Sequence, residues 1–339
     1  MKKTVRLKDV AELAKTSVKT ASRVINGDEG VAPETQKRVE AAVLELGYRV
    51  NLLARSLRKG IDEVIGIVVP SIGDPFFASS IDAIEEVALM RGFQLTIASN
   101  HNEPAQERQI ISQMEQRRVS GMIITPNKAD YSFLANSGIP VVFFDREPRN
   151  FSGDVALVDD VSGAKSAVEH LISFGHKRIV FLSDDLDIPT SGLRYKGYVA
   201  ALAKHRIPLD PALVLSNGTN AKAADEIVRR LIVDEPDITA IFSARSLASI
   251  GAIRALHDIS RTDIAFVSFG DFDMSDVLNP KVTIIDHSPR DLGRLAINRL
   301  MSKIDGQVNS SERIYSKLTL IPRGSGEIQN SEVSRARAI

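Results

Sequence analysis

The chain has 339 residues, 43% of them hydrophobic and 25% charged, which suits a small domain plus larger ones with real cores. It contains no cysteine, which excludes a disulfide scaffold, a thiolate zinc site and a cysteine nucleophile. Basic and acidic residues balance at 43 each, yet residues 1–60 hold 13 basic and 7 acidic residues, so a head of +6 precedes a body of −6. A basic head suggests a polyanion partner, with a chance fluctuation as the bland alternative. Met1-Lys2-Lys3-Thr4-Val5-Arg6 runs into polar sequence without an apolar secretion core. No stretch is long and apolar enough to span a bilayer, so a soluble cytoplasmic protein without a membrane partner is expected.

Short helices are predicted first. Residues 7–14 place Val10, Leu13 and Ala14 on one face. Thr16-Ser17 is a turn, with Ser17 as N-cap of a helix over about 18–25 that turns Ala21, Val24 and Ile25 inward and stops at Asn26-Gly27. A third helix begins near Pro33, presents Val39, Val43 and Leu46, and ends at Gly47. From residue 64 onward, short β-branched runs alternate with helical segments. The runs cover 64–69, 94–98, 122–125, 141–144, 179–183, 239–243 and 264–268. Nearly continuous apolar strands between helices predict parallel sheets covered on both faces. The alternation restarts after Asp159-Asp160, so two doubly wound halves are expected, with a cleft beside the strand carboxyl ends.

Enzyme motifs are absent. There is no GxxxxGK[ST] or GxGxxG phosphate loop, no GxSxG elbow and no HExxH pair. The histidines, His170 and His176 among them, read as surface or core residues, and Asp184-Asp185 reads as solvated loop charge. No metal, cofactor or catalytic residue is expected.

Two short helices joined by a tight turn, with a third in support, fit a helix-turn-helix, a weak signal by itself. Particular residues sharpen it: Lys8-Asp9-Val10-Ala11-Glu12-Leu13-Ala14, Ser17, Ser22-Arg23-Val24-Ile25-Asn26-Gly27, Pro33-Glu34-Thr35 and Leu46-Gly47-Tyr48. With Asn51-x-x-Ala54-Arg55-Ser56-Leu57-Arg58, they resemble the lactose-repressor/galactose-repressor (LacI/GalR) family, whose pattern covers essentially the whole chain. The resemblance implies a DNA-binding transcriptional regulator, most simply a repressor. It would bind a palindromic double-stranded operator as a homodimer and respond to a small-molecule effector.

By that resemblance Val18, Lys19 and Arg23 read the major groove. Arg and Lys suit guanine and a valine methyl suits thymine; packing for Val18 and phosphate contact for Lys19 and Arg23 are the alternatives. Ser17, Thr20 and Asn26 join them on the DNA side, the two hydroxyls positioning the backbone. Lys15-Thr16 departs from the usual Gly-Val or Asn-Val turn and carries a small cost if Lys15 is left-handed. Arg6 and Ala32 stand where hydroxyl caps are usual.

Residues 51–58 resemble the family's hinge helix, with Asn51, Ala54, Arg55 and Leu57 toward DNA. Leu57 is the apolar wedge at the central base step, and a linker leucine is the alternative. About seven residues fall far below the ~12–15 of a stable isolated helix, so this segment is expected to fold on the operator.

The body resembles the periplasmic-sugar-binding-protein fold. The resemblance places effector contacts at Ser71, Asp74, Phe76, Asn100, Asp145, Arg146, Asp160, Arg194, Asn220 and Asp271. Phe76 is a sugar platform or a core aromatic. Asn100 is a ligand group or a loop cap, and Asp160 a ligand group or a helix cap. Arg194, in Leu193-Arg194-Tyr195-x-Gly197-Tyr198, holds ligand oxygens or forms a surface ion pair. Many members carry two acids where Gly270-Asp271 stands here. Sugar, sugar acid and sugar phosphate all stay open as effector.

The expected domains are an all-α headpiece at 1–49, hinge and linker at 50–61, and a periplasmic-binding-protein-like α/β sensor at 62–322. Its N-subdomain takes about 62–159 and 290–315, its C-subdomain about 160–289 and 316–322. A flexible tail is expected at 323–339; it has no leucine, so a dimer held by the sensors is expected rather than a heptad-built tetramer. A sugar-binding protein without a DNA role is the alternative, and it would not need residues 1–60.

Overall fold

Helices α1 (Leu7–Leu13), α2 (Val18–Ile25) and α3 (Pro33–Leu46) open a computed structural model that describes residues 5–25, 28, 30–48, 62–218, 220–308 and 310–330. The chain divides into two compact units, Met1–Ile61 and Asp62–Ile339. In the first, Val10, Ala11, Ala14, Ala21, Val39 and Ala42 form the buried core. The small residues let three short helices approach closely, and Val24, Ile25, Val43 and Leu46 close the rim. Leu13, expected inward, is exposed; Ala11 is buried instead, because the inner stripe of so short a helix is set by α3 as well as α2. Lys15 is left-handed at φ 49°, as the Lys-Thr turn implied, and Gly47 ends α3 at φ 59°. Arg6 offers no side-chain cap; Asp9 turns back instead and accepts from the Arg6 backbone N–H at 2.7 Å.

The second unit holds two six-stranded sheets. The first is built from β1 (Asp62–Val69), β2 (Gln94–Ser99), β3 (Val119–Ile124), β4 (Val141–Phe144), β5 (Asp154–Leu157) and, after a long return, β11 (Arg313–Tyr315). Its order is β11-β5-β4-β3-β1-β2, all parallel. The second is built from β6 (Ile179–Leu182), β7 (Val214–Leu215), β8 (Ala240–Ser243), β9 (Ala265–Phe269), β10 (Thr283–Asp286) and β12 (Thr319–Ile321). Its order is β12-β10-β9-β8-β6-β7, with only β12 antiparallel.

Seven helices cover these sheets among the described residues. They are α4 (Pro75–Met90), α5 (Pro104–Gln116), α6 (Asp160–Ser173), α7 (Pro189–Lys204), α8 (Ala221–Asp234), α9 (Ser246–Asp258) and α10 (Pro289–Ile304). The seven strands expected from the sequence all form. The five not expected are short or carry charge; β5 contains Asp154, fully buried between Arg299 and Lys303 of α10. No helix among the described residues is long and apolar enough to cross a membrane.

The chain crosses between the sheets three times: after β5, between β10 and α10, and between β11 and β12. Two crossings are bonded to each other, Ser316 Oγ donating to the His287 carbonyl at 3.5 Å. The C-terminal segment corrects the expected tail. Residues 323–330 are part of the second half: Ser325 and Gly326 are buried, and Ser325 Oγ donates to the Phe266 carbonyl at 2.6 Å. The run is polar because its polar atoms close backbone bonds of β9 and β10, which composition alone reads as solvated. Residues 331–339 lie outside the described part.

Candidate functional site

The helix-turn-helix face is built by Ser17. Its Oγ accepts from the Thr20 backbone N–H at 3.0 Å and pairs with Thr20 Oγ1 at 2.8 Å, which fixes where α2 begins. Val18 and Lys19 then stand exposed in the first turn. Val18 is 46% exposed, which argues against plain packing. Arg23, one turn on, is half-buried near Gly30. Asn26 and the hinge residues Asn51, Ala54, Arg55 and Leu57 lie outside the described residues.

In the sensor, the strand carboxyl ends of both sheets face one cavity of about 800 Å³, within the range of small-molecule sites. The loop after β1 supplies Ser71, Asp74 and Phe76. Asp74 caps α4 through Oδ1, which accepts from the Phe76 N–H at 3.0 Å, while its Oδ2 accepts from Arg245 at 2.9 Å on the cavity wall. The Phe76 ring stacks with Phe144 (5.9 Å, 16°) and with His287 (5.2 Å, 20°), so it serves the core and the cavity wall together. Asp145 and Arg146 follow β4 and are both buried; Arg146 donates to Asn102 at 2.9 Å and pairs with Asp145 at 3.3 Å. Burial pushes the Asp145 carboxyl up from its ordinary range, against the pull of Arg146 and Arg194.

Arg194 is buried, not a surface ion pair. Its Nε donates to Asp160 at 2.7 Å, its Nη1 to the Ala244 carbonyl at 2.7 Å, and its guanidinium lies 3.9 Å from the Phe269 ring centroid. Three residues on, Gly197 lets α7 close on α6: a Cβ there would stand 2.4 Å from the Val161 carbonyl oxygen. Tyr198 then anchors the helix, its hydroxyl donating to the Ile179 carbonyl at 2.9 Å. The Arg-x-x-Gly-Tyr spacing is therefore one cavity group, one helix contact and one core anchor.

Asn100, Asp160 and Asn220 are not brought to the cavity wall. Asn100 is fully buried and turns to Glu107 and the Asn102 N–H, holding the loop behind the wall. Asp160 sits behind Arg194, and burial pushes it up to about 6. Asn220 caps α8 from an exposed position, accepting from Ala223 N–H at 3.0 Å. Asp271 does line the cavity, but Arg323 grips it with two hydrogen bonds of 3.0 and 2.8 Å. Gly270 has φ 90°, and a Cβ there would stand 2.9 Å from the His287 ring, so a second acid has no room beside it.

Sequence reasoning missed Asp184, Arg245 and His287. Asp184 is buried rather than solvated, accepting from Ser191 and from Arg245. Arg245, in the loop after β8, also donates to Asp74 at 2.9 Å and so links the two halves across the cleft. His287 is buried at the crossing between β10 and α10, and its Nδ1 has no partner among the described residues. Burial, aided by Arg194, pushes it down to about 3, so the ring is neutral. The available signal was position: each follows a strand end, where ligand groups gather in such folds.

Comparison with known proteins bears on both parts. The model for "Bacterial regulatory proteins, lacI family" matches residues 6–51, and that for "Periplasmic binding proteins and sugar binding domain of LacI family" matches residues 62–324. The chain belongs to the LacI family. This LacI-family regulator is 30% identical over 323 residues to the HTH-type transcriptional repressor PurR of Haemophilus influenzae (strain PittEE), covering 93% of this chain and 96% of that protein. It is 29% identical over 329 residues to the ribose operon repressor of Escherichia coli (strain K12), covering 94% and 99%. The crystal structure of the lac repressor dimer bound to operator and the anti-inducer ONPF superposes with a TM-score of 0.84 at 25% identity, covering 96% of this chain and 99% of that one. The complex of the transcriptional regulator CelR with cellobiose gives 0.71 at 25% identity, covering 95% and 99%. A DNA-binding helix-turn-helix region and a periplasmic-binding-protein-like sensor thus make up a transcriptional regulator.

Proposed function

We propose that this regulator is a repressor that binds a palindromic operator as a homodimer. A small hydroxylated effector switches it from the sensor cleft, and it works in the cytoplasm, where its DNA is. The observation that carries this reading is the cavity at the strand carboxyl ends, where Asp74, Arg146, Arg194, Arg245 and His287 converge. Such a set of donors and acceptors beside Phe76 and Phe269 suits a ligand with several hydroxyls. The cellobiose complex of CelR and the ribose operon repressor support a sugar, and the operator-bound lac repressor dimer supports twofold binding.

Val18, Lys19 and Arg23 carry base readout in this reading, with Ser17, Thr20 and Asn26 beside them and the hinge segment 51–58 in the minor groove. Asp74, Arg146, Arg194 and His287 hold the effector. The test combines selection of operators from random duplex DNA with a thermal-shift screen over sugars, sugar acids and sugar phosphates. A palindromic consensus whose affinity changes with a stabilising compound is the expected result. An asymmetric consensus, or selected DNA released by no compound that raises the melting temperature, contradicts it.

A further inference from the structure

Each guanidinium in the cavity is already held by a carboxylate of the same chain. Arg146 pairs with Asp145 at 3.3 Å and Arg194 with Asp160 at 2.7 Å. Arg245 lies between Asp184 of its own half and Asp74 of the other, the latter at 2.9 Å. Among the described residues no lysine lines the cavity, and Asp273 and Asp276 add negative charge at its mouth. The interior therefore offers no cation in search of an anion.

We propose that the cavity selects an uncharged hydroxylated ligand and rejects carboxylated and phosphorylated ones. The inference rests on the cleft being the effector site, and it goes further by naming the ligand's charge.

The chemistry follows from donor and acceptor roles. A hydroxyl both donates and accepts, so it fits between a guanidinium N–H and the carboxylate that neutralises it. A carboxylate or phosphate dianion only accepts, and beside Asp74, Asp145 and Asp184 it meets like charge, with each guanidinium already paired to a carboxylate. To use Arg245 it would have to displace Asp74 or Asp184, leaving that carboxylate buried without its cation. The orphan His287 Nδ1 adds a neutral partner, and a hydroxyl satisfies it in either tautomer.

Two measurements on the full chain separate this inference from the reading beneath it. The first uses inorganic phosphate and needs no knowledge of the effector. Melting temperatures are compared in phosphate and in chloride at equal ionic strength and pH 7.5, for the wild type, Asp184→Asn and Asp74→Asn. Asparagine preserves the cap at position 74, and circular dichroism selects the variants that fold. Phosphate is expected to leave the wild type unchanged and to raise at least one asparagine variant by several degrees, because Arg245 then keeps only one of its two carboxylates. A wild type raised by phosphate, with the rise lost in Arg245→Ala, overturns the proposal. So does a folded pair of variants that phosphate leaves unchanged.

The second measurement titrates matched sets by calorimetry: D-glucose, D-gluconate and D-glucose 6-phosphate, then D-ribose, D-ribonate and D-ribose 5-phosphate. Within any set that binds, the neutral member is expected to be at least tenfold tighter. An acid or phosphate that binds more tightly than its parent sugar overturns the charge rule while sparing the sensor reading. Failure of every hydroxylated compound in the wider screen removes the sensor reading, whatever phosphate does.

Discussion

The ring of His287 lies parallel to that of Phe76, 5.2 Å away, so the crossing between β10 and α10 is stacked on the first turn of α4. The histidine therefore sits on a chain crossing between the two halves of the sensor, and it is held neutral there.

Stability should fall as the pH is lowered from 6.5 because of this residue. The unfolded chain takes up a proton near 6.5 whereas the folded His287 resists until about 3, so the contribution is present above 6.5 and lost on acidification. Between pH 7 and 4.5 the loss is roughly 2–3 kcal/mol. His287→Phe keeps a ring in the stack and removes the titration. Urea unfolding across that range should show a flatter profile for the variant; parallel profiles would mean the ring is charged or solvated.

Glu107 acts in the opposite direction. It is buried under Asn100, Tyr131 and Asn127, and burial pushes it up to about 7 against the lowering pull of those hydrogen bonds. Its contribution is complete below about 4.5, the unfolded value, and is lost as the pH rises through 7. Glu107→Gln should abolish a loss of roughly 3 kcal/mol between pH 5 and 8. The same unfolding series at the alkaline end reads it.

Arg194→Ala should remove the effector response and also weaken the fold. It leaves Asp160, whose side chain is 2% exposed, without its cation, at a cost of about 3 kcal/mol. Pairing it with Asp160→Asn should restore the melting temperature and leave operator binding intact, with the response still absent. A double variant that responds at the wild-type effector concentration would make Arg194 a structural residue alone.

Val18→Ala should change DNA preference without changing stability. The side chain is 46% exposed on α2, so the fold should lose less than about 0.5 kcal/mol. Preference for thymine at one base pair per half-site should weaken by roughly 1 kcal/mol through the lost methyl contact. Titrations over operator variants measure it, and a uniform loss across all sequences would point to altered docking instead.

Gly197→Ala should cost about 1–3 kcal/mol, because the added methyl meets the Val161 carbonyl oxygen and α6 must move away from α7. A melting temperature equal to wild type would show that the two helices tolerate the separation.

Much of this was legible in the chain. Ala-rich and β-branched spacing placed α1 to α3 and seven strands, because those elements follow local periodicity. β5 and β11 were not, since Asp154 and Arg313 look like loop charge until their partners are known: Arg299 and Lys303 for one, Glu147 for the other. The same blindness hid Asp184 and Arg245. A charge reads as solvated unless the residue that neutralises it is adjacent, and here Arg245 and Asp74 lie 171 positions apart. Asn100 and Asn220 show the converse. Both polar residues follow strands, yet one satisfies a buried glutamate and the other caps a helix.

The late return of β11, β12 and residues 324–330 has a consequence for synthesis on the ribosome. Residues 7–48 contain every described piece of the first core, so the headpiece can assemble while the rest is still being translated. Neither sensor half can. The first sheet waits for α10 and β11, and the second waits for Ser325 to reach the Phe266 carbonyl. A nascent chain thus acquires its DNA-reading surface some 280 residues before it acquires the part that regulates it, and a ribosome stalled in between holds a headpiece with no means of control.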